Sequence, residues 1–555
     1  MAEQRSINLF LAVASACLLV SLVAPVNGQV QASGPTVALP CGQTVTGVNH
    51  GDHVSYLGIP YAEPPVSRLR FQPAQLVTCP SSHLNATSYG PACHQQLPTL
   101  DRPQSEDCLN LDVHVPSAPM TSQDETRPTL VWVYGGSNVE GSTSMYIGMP
   151  KLAAAADACV FSMNYRLGPL GYLAVDALAL DDARGVAGNY GLTDIIASLQ
   201  WVQANGAAFG CSTTNVTIYG QSSGGTNILA LLANDEVAGL FSAAYALSPS
   251  TRLDFTQAHI QERQTPYLAS TVCQGLEKQH LANCLRYAAD AKDLVKAMPS
   301  TWNMDLKSLA PGATRENNND FVPLVYVDGV TMKTSLKNAL QQAWVDVPLV
   351  ISYTSDETLL QPIDEVFSWT SADLEHFFKT NFSHMGPDVG QKLIGLYSPL
   401  TNPLKTYYDF AADVGMVCGV QQVMSWAHAG FQSPSGLIEY AMPLSQPLHL
   451  SFNEPGLAYP FHIWDWIVME AAWNFFGLTY TPSAAELAAH EVLLNMVSVL
   501  AHTGRFTLAE FGDDGTINVI DNTTTPVVTA TPAYKQQLCN SLTSLGFDDT
   551  FWWIN

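Results

Sequence analysis

The strongest constraint on the fold is a succession of short β-rich runs separated by helical patterns. The runs are TLVWVYGG (129–136), CVFSMNYR (159–166), NVTIYGQS (215–222), AAYALS (243–248), VPLVISY (347–353) and GLIEYA (436–441). Most lack clean alternation of apolar and polar residues, the pattern of strands covered on both faces. Between two of them, GLTDIIASLQWVQANG places Leu192, Ile195, Ile196, Leu199 and Val202 on one face at helical spacing. Strands alternating with helices predict an α/β fold built on a large, mostly parallel sheet with helices on both faces. The sequence shows no internal repeat or linker, and the stretch 255–340 reads as helical and loop insertions. At 555 residues the chain can bury a large core, and 29–555 is expected to form one domain.

Charge narrows the partners. Forty-eight acidic residues against 23 basic ones give a net charge of -25. Nucleic acid, whose phosphates require basic patches, is excluded as a partner on this ground. The acids are scattered, which reads as a soluble acidic surface.

Residues 1–28, MAEQRSINLFLAVASACLLVSLVAPVNG, carry Arg5, an apolar run from Leu9 to Val26, and small residues before Gln29. This three-part pattern predicts a secretory signal peptide and a secreted, extracellular protein. An N-terminal membrane anchor is the rival reading, since the run approaches the length that spans a bilayer. No stable membrane span is expected once the signal is removed. Ten cysteines follow Cys17, with no CxxC pair that would suggest a zinc or thioredoxin-type site. In an oxidising compartment most are expected to be disulfide-bonded. Sequons at Asn85, Asn215, Asn381 and Asn522 are candidate glycan sites on exposed loops.

The stretch TIYGQSSGG, Thr217 to Gly225, is the chemical focus. A strand precedes its glycine turn and the helical GTNILALLAN follows, which is the context of a G-x-S-x-G nucleophile elbow. The frame Gly220-Gln221-Ser222-Ser223-Gly224 puts Ser222 at the apex; a frame centred on Ser223 would need glycine at Gln221. Ser223 then offers its backbone N–H to an oxyanion at the helix start. A serine hydroxyl needs an imidazole to take its proton and a carboxylate to orient that imidazole. Fourteen histidines compete for this part, and sequence alone does not reveal proximity.

These blocks resemble the type-B carboxylesterases, the α/β-hydrolase family that includes the cholinesterases. GIPYAEPPVSRLRF (58–71), SEDCLNLDVHVP (105–116), MNYRLGPLGYL (163–173), AGNYGLTDIIASLQWVQANGAAFG (187–210) and VTIYGQSSGG (216–225) follow one another in family order. The resemblance implies insertions over an active-site gorge and a serine–glutamate–histidine triad. SYTSDETLL then nominates Glu357, with Asp356 as rival, and FHIWDWI nominates His462, with Asp465 three residues on. His449, His428 and His502 are the competing histidines. Oxyanion donors fall by position on Gly136, Ser137 and Ser223. Ser137 stands where a third glycine is expected and Asn138 where an aromatic is common. Thr358 and Ile463 replace two further family glycines.

The resemblance also pairs Cys93–Cys108, Cys273–Cys284 and Cys418–Cys539, with Cys41–Cys79 a candidate additional bridge. Cys159 and Cys211 are expected to be buried thiols. The Cys93–Cys108 loop lacks the tryptophan that binds choline in cholinesterases, and Gln221 replaces their acid before the serine. A choline-ester specialist is therefore not expected. Trp464, Trp466 and Trp473 are read as core, with an acyl-site lining as the alternative.

The resemblance implies hydrolysis of small-molecule or lipid carboxylic esters through an acyl-enzyme, without metal or organic cofactor. A lipase or sterol esterase for long acyl chains, and a catalytically silent cholinesterase-like adhesion protein, are the alternatives.

Overall fold

All six apolar runs form strands of one sheet in the computed structural model. It describes residues 33–78, 82–99, 102–120, 126–302, 322, 324–360, 364–448, 458–475, 478–522, 527–548 and 551. Residues 1–28 and His449 lie outside the described residues. Among the described residues the sheet has 13 strands. These are β1 (Ser33–Ala38), β2 (Thr44–Asn49), β3 (His53–Pro60), β4 (His83–Asn85), β5 (Asn110–Pro116), β6 (Arg127–Val133) and β7 (Cys159–Met163). They are followed by β8 (Cys211–Gln221), β9 (Ala243–Leu247), β10 (Leu349–Thr354), β11 (Ser435–Tyr440), β12 (Ile517–Ile520) and β13 (Val528–Thr531). Their order is β1-β2-β3-β5-β7-β6-β8-β9-β10-β11-β12-β13, with β4 against β2.

The contiguous block β7-β6-β8-β9-β10-β11-β12 is parallel throughout. Its central strands are buried at nearly every position, which explains why they read as unbroken apolar runs. The margins are antiparallel, from β1 to β7 on one side and at β13 on the other, except that β4 runs parallel to β2.

Helices close the faces. Helix α1 (Tyr190–Asn205) buries Leu192, Ile195, Leu199 and Val202 of the stripe its periodicity predicts, and leaves Ile196 half-buried. Helix α2 (Ser223–Leu231) follows β8, and α3 (Cys418–Gly430) precedes β11. Helix α4 (Trp464–Met469) packs on α5 (Ala484–Thr503). By length and composition α5 could cross a membrane, yet it buries Leu493, Met496, Val497 and Leu500 against β6, β8 and α4. One apolar cluster runs from Leu39 to Phe551 and includes Trp464 and Trp466.

Among the described residues, four disulfides join Cys93–Cys108, Cys159–Cys211, Cys273–Cys284 and Cys418–Cys539. The second corrects the expectation of two free thiols. Cys159 pairs in register with Thr129 and Cys211 with Arg127, so both stand at the start of β6 from opposite sides. Their Cα atoms are 5.8 Å apart despite a sequence separation of 52. Cys41 is disulfide-bonded, whereas Cys79 lies outside the described residues.

The sequons also depart from the exposed-loop expectation. Asn85 ends β4, Asn215 lies inside β8 with its Nδ2 donating to the His502 carbonyl at 3.2 Å, and Asn381 ends the helix Ser371–Asn381. Asn522 lies at an exposed bend, and Asn85 is exposed as well.

Candidate active site

Parallel strands of matched length deliver their ends to one edge of the sheet. Gln221 is in register with Leu247, and Leu247 with Ser352, so Ser222, Ser248 and the turn after Thr354 emerge side by side. Open α/β sheets place their sites at this edge.

Ser222 sits at φ 58° and ψ -127°, immediately before α2. The flanking glycines are demanded by the neighbouring strand. A Cβ on Gly220 would stand 2.6 Å from the Val133 carbonyl oxygen, and one on Gly224 would stand 2.0 Å from it. The elbow therefore presses against β6, and the strained Ser222 backbone is held by its N–H bond to the Leu247 carbonyl at 2.8 Å.

Ser222 Oγ lies 2.8 Å from His462 Nε2, and His462 Nδ1 lies 2.5 Å from Glu357 Oε2. Ser222, Glu357 and His462 are all buried. With Nδ1–H donating to the carboxylate, Nε2 is left to accept the serine proton. The other Glu357 oxygen accepts from Ser248 Oγ at 2.6 Å and from the Thr354 N–H at 2.7 Å. The carboxylate is thus held on both oxygens. Asp356 turns away: its carboxylate meets Lys405 Nζ at 3.3 Å and the Ser355 hydroxyl at 2.5 Å. His428 pairs with Asp513, and His502 binds the Ala156 carbonyl, both away from Ser222.

Two residues that the sequence motifs name without a triad role stand around the imidazole. Gln221 Nε2 lies 3.2 Å from His462 Nε2, so a neutral amide occupies the space beside the proton-accepting nitrogen. Behind Glu357, buried Asp465 accepts from Ser352 Oγ at 2.6 Å and from the Trp466 N–H at 2.8 Å. Burial first, and then the charge of Glu357, pushes the Asp465 carboxyl up to about 6. Ser248 ends the strand beside the elbow strand, an adjacency that only the fold supplies.

The loop after β6 faces Ser222. A Cβ on Gly135 would lie 2.9 Å from Ser222 Cβ, and one on Gly136, at φ 117°, would lie 2.2 Å from the Glu140 carbonyl oxygen. Both positions therefore require glycine. Ser137 has φ 54° and Ile463 has φ 81°, so two of the three positions where family glycines are replaced hold left-handed residues. That conformation costs an L-residue about 1–2 kcal/mol. For β-branched Ile463, directly after His462, it is a marked outlier. Thr358 has no positive φ. The N–H groups of Gly136, Ser137 and Ser223 donate to no protein acceptor among the described residues.

A doubly wound sheet with a serine on a strand-to-helix elbow, hydrogen-bonded to a histidine that meets a carboxylate, defines an α/β-hydrolase. Residues 33–425 match the carboxylesterase family. The para-nitrobenzyl esterase of Bacillus subtilis (strain 168) is 32% identical over 371 residues, which cover 64% of this chain and 68% of that protein. Carboxylesterase 1E of Mus musculus is 31% identical over 62% of both chains, and Lipase 4 of Diutina rugosa is 30% identical over 68% of this chain and 71% of its own. A solved PNB esterase superposes with a TM-score of 0.71 at 25% identity, covering 91% of this chain and 99% of that one. The chain belongs to the carboxylesterase family, and it is accordingly a serine hydrolase of carboxylic esters.

Proposed function

We propose that the protein is a secreted carboxylesterase in which Ser222 is the nucleophile, His462 the general base and acid, and Glu357 the carboxylate that orients it. The observation that carries this reading is the continuous hydrogen-bonded chain from Ser222 Oγ through His462 to Glu357, at 2.8 and 2.5 Å. In the first half-reaction Ser222 Oγ bonds to the ester carbonyl carbon while its proton passes to His462 Nε2. The carbonyl oxygen becomes an oxyanion that the N–H groups of Gly136, Ser137 and Ser223 receive. Collapse breaks the carbon–oxygen bond to the alcohol, which leaves with the proton from His462. Water then attacks the acyl-serine by the same relay, releasing the acid and restoring Ser222.

Glu357 keeps the Nδ1–H tautomer and stabilises the imidazolium without taking its proton. Four disulfides support an oxidising, extracellular location. The assembled triad argues against a silent adhesion protein, which would have no use for it. A chain-length series of p-nitrophenyl esters on wild type and Ser222→Ala tests the assignment. Wild type should hydrolyse short acyl esters and the variant should lose at least about a thousandfold in kcat. A preference for long chains in emulsion would move the reading to a lipase, and activity surviving in the variant would move the nucleophile elsewhere.

A further inference from the structure

The loop bearing Gly136 and Ser137 and the helix bearing Ser223 are separate elements, and an oxyanion hole works only if their N–H groups hold a fixed spacing. The residue after Ser137 joins them. Asn138, itself at φ 58°, donates its backbone N–H to Ser223 Oγ at 3.0 Å. Its side-chain Oδ1 accepts from Asn227 Nδ2 at 2.9 Å and from the Tyr172 hydroxyl at 3.1 Å. Its backbone carbonyl accepts from the Gly168 N–H at 2.7 Å. Ser223 and Asn227 lie four residues apart on one face of α2 and so reach the same residue. Gly168 and Tyr172 bracket the short helix Gly168–Tyr172 in the same way. All of Asn138, Ser223, Asn227 and Tyr172 are inaccessible to solvent, where hydrogen bonds are not exchanged with water.

We propose that Asn138 and the Ser223 hydroxyl are positioning residues that lock the two halves of the oxyanion hole together. The inference rests on the reading of Ser222 as nucleophile. Ser223 then serves twice. Its backbone N–H faces the oxyanion, and its hydroxyl holds the loop that carries the other two donors. Asn138 explains how a loop with Ser137 in the left-handed region keeps one shape. Four hydrogen bonds fix its neighbour, so the strain cannot relax by moving the loop.

The test is steady-state kinetics on Ser223→Ala, Tyr172→Phe and Asn227→Ala. It is run with a p-nitrophenyl ester, a trifluoromethyl ketone that forms the tetrahedral adduct, and thermal melts. Ser223→Ala keeps the backbone donor and removes only the hydroxyl. Its kcat should fall about tenfold with KM within twofold, and affinity for the ketone should fall by the same factor. Tyr172→Phe, which deletes one oxygen, should lower kcat about threefold in the same way. Ser223→Ala and Asn227→Ala should be less than additive in the double variant, since both act through Asn138. Lower melting temperatures with kcat and ketone affinity unchanged in Ser223→Ala and Tyr172→Phe would reduce the network to a structural one and overturn the proposal. Labelling of the wild type by a fluorophosphonate separates the two readings. A label away from Ser222 defeats the nucleophile assignment, whereas a label on Ser222 with unaltered variants defeats only the clamp.

Discussion

Ser137 carries an L side chain at φ 54° one residue from a loop glycine that nothing else could replace. Its contribution to chemistry is a backbone N–H, which glycine supplies equally well. Ser137→Gly should therefore keep kcat within about threefold of wild type. It trades about 1–2 kcal/mol of relieved strain against a smaller gain in unfolded-chain entropy, so the melting temperature should rise slightly or stay level. A drop of tenfold or more in kcat would mean that the Ser137 hydroxyl, rather than its N–H, serves the reaction. Ile463 makes the contrasting case. It also stands at positive φ, but its side chain packs against the core, so glycine there would lose burial as well as strain.

At the scale of elements, the elbow, the loop after β6 and the turn after β10 work because parallel strands end together. Much of this was legible in the sequence. Strands buried on both faces leave unbroken apolar runs, and the Gly220–Gly224 spacing reflects the pressure of β6 on the elbow. The antiparallel margin was not legible, because strands such as His53–Pro60 mix polar and apolar residues and carry no continuous run. The Cys159–Cys211 bond was missed for a different reason. Proximity across 52 residues depends on β7 and β8 flanking β6, and strand order is not written in local composition. Ser248 escaped in the same way, since its contact with Glu357 exists only once β9 lies between β8 and β10. Asn138, read as a missing aromatic, is instead a buried four-bond anchor. The Cys159→Ala/Cys211→Ala double variant should lose about 2–4 kcal/mol of stability with its esterase kcat unchanged at low temperature. Chemical denaturation measures the first quantity. An unchanged unfolding midpoint would show that the bond constrains nothing the sheet does not already hold.

Across the whole molecule, acid groups outnumber basic ones and several are buried. Asp112, Asp356 and Asp465 are each pushed up to about 6, in every case chiefly by burial. A carboxyl whose folded value is raised contributes stability that is fully present below its unfolded value near 3.9. That contribution is lost as the pH rises through about 6. The protein should therefore melt roughly 3–5 °C higher near pH 5 than near pH 7.5. Falling net charge adds to the same trend. Asp112→Asn should shrink the difference, because the amide does not titrate over this range; a melting temperature that falls steadily from pH 7.5 to 5 would reverse the sign. Activity rests on transfer of the Ser222 proton to His462. The most direct measurement of that chemistry is stoichiometric labelling of the intact enzyme with a fluorophosphonate, followed by peptide mass spectrometry. One adduct per chain on Ser222, with loss of hydrolysis in proportion to labelling, is the expected result. An adduct on another residue, or full hydrolysis by protein labelled on Ser222, would contradict it.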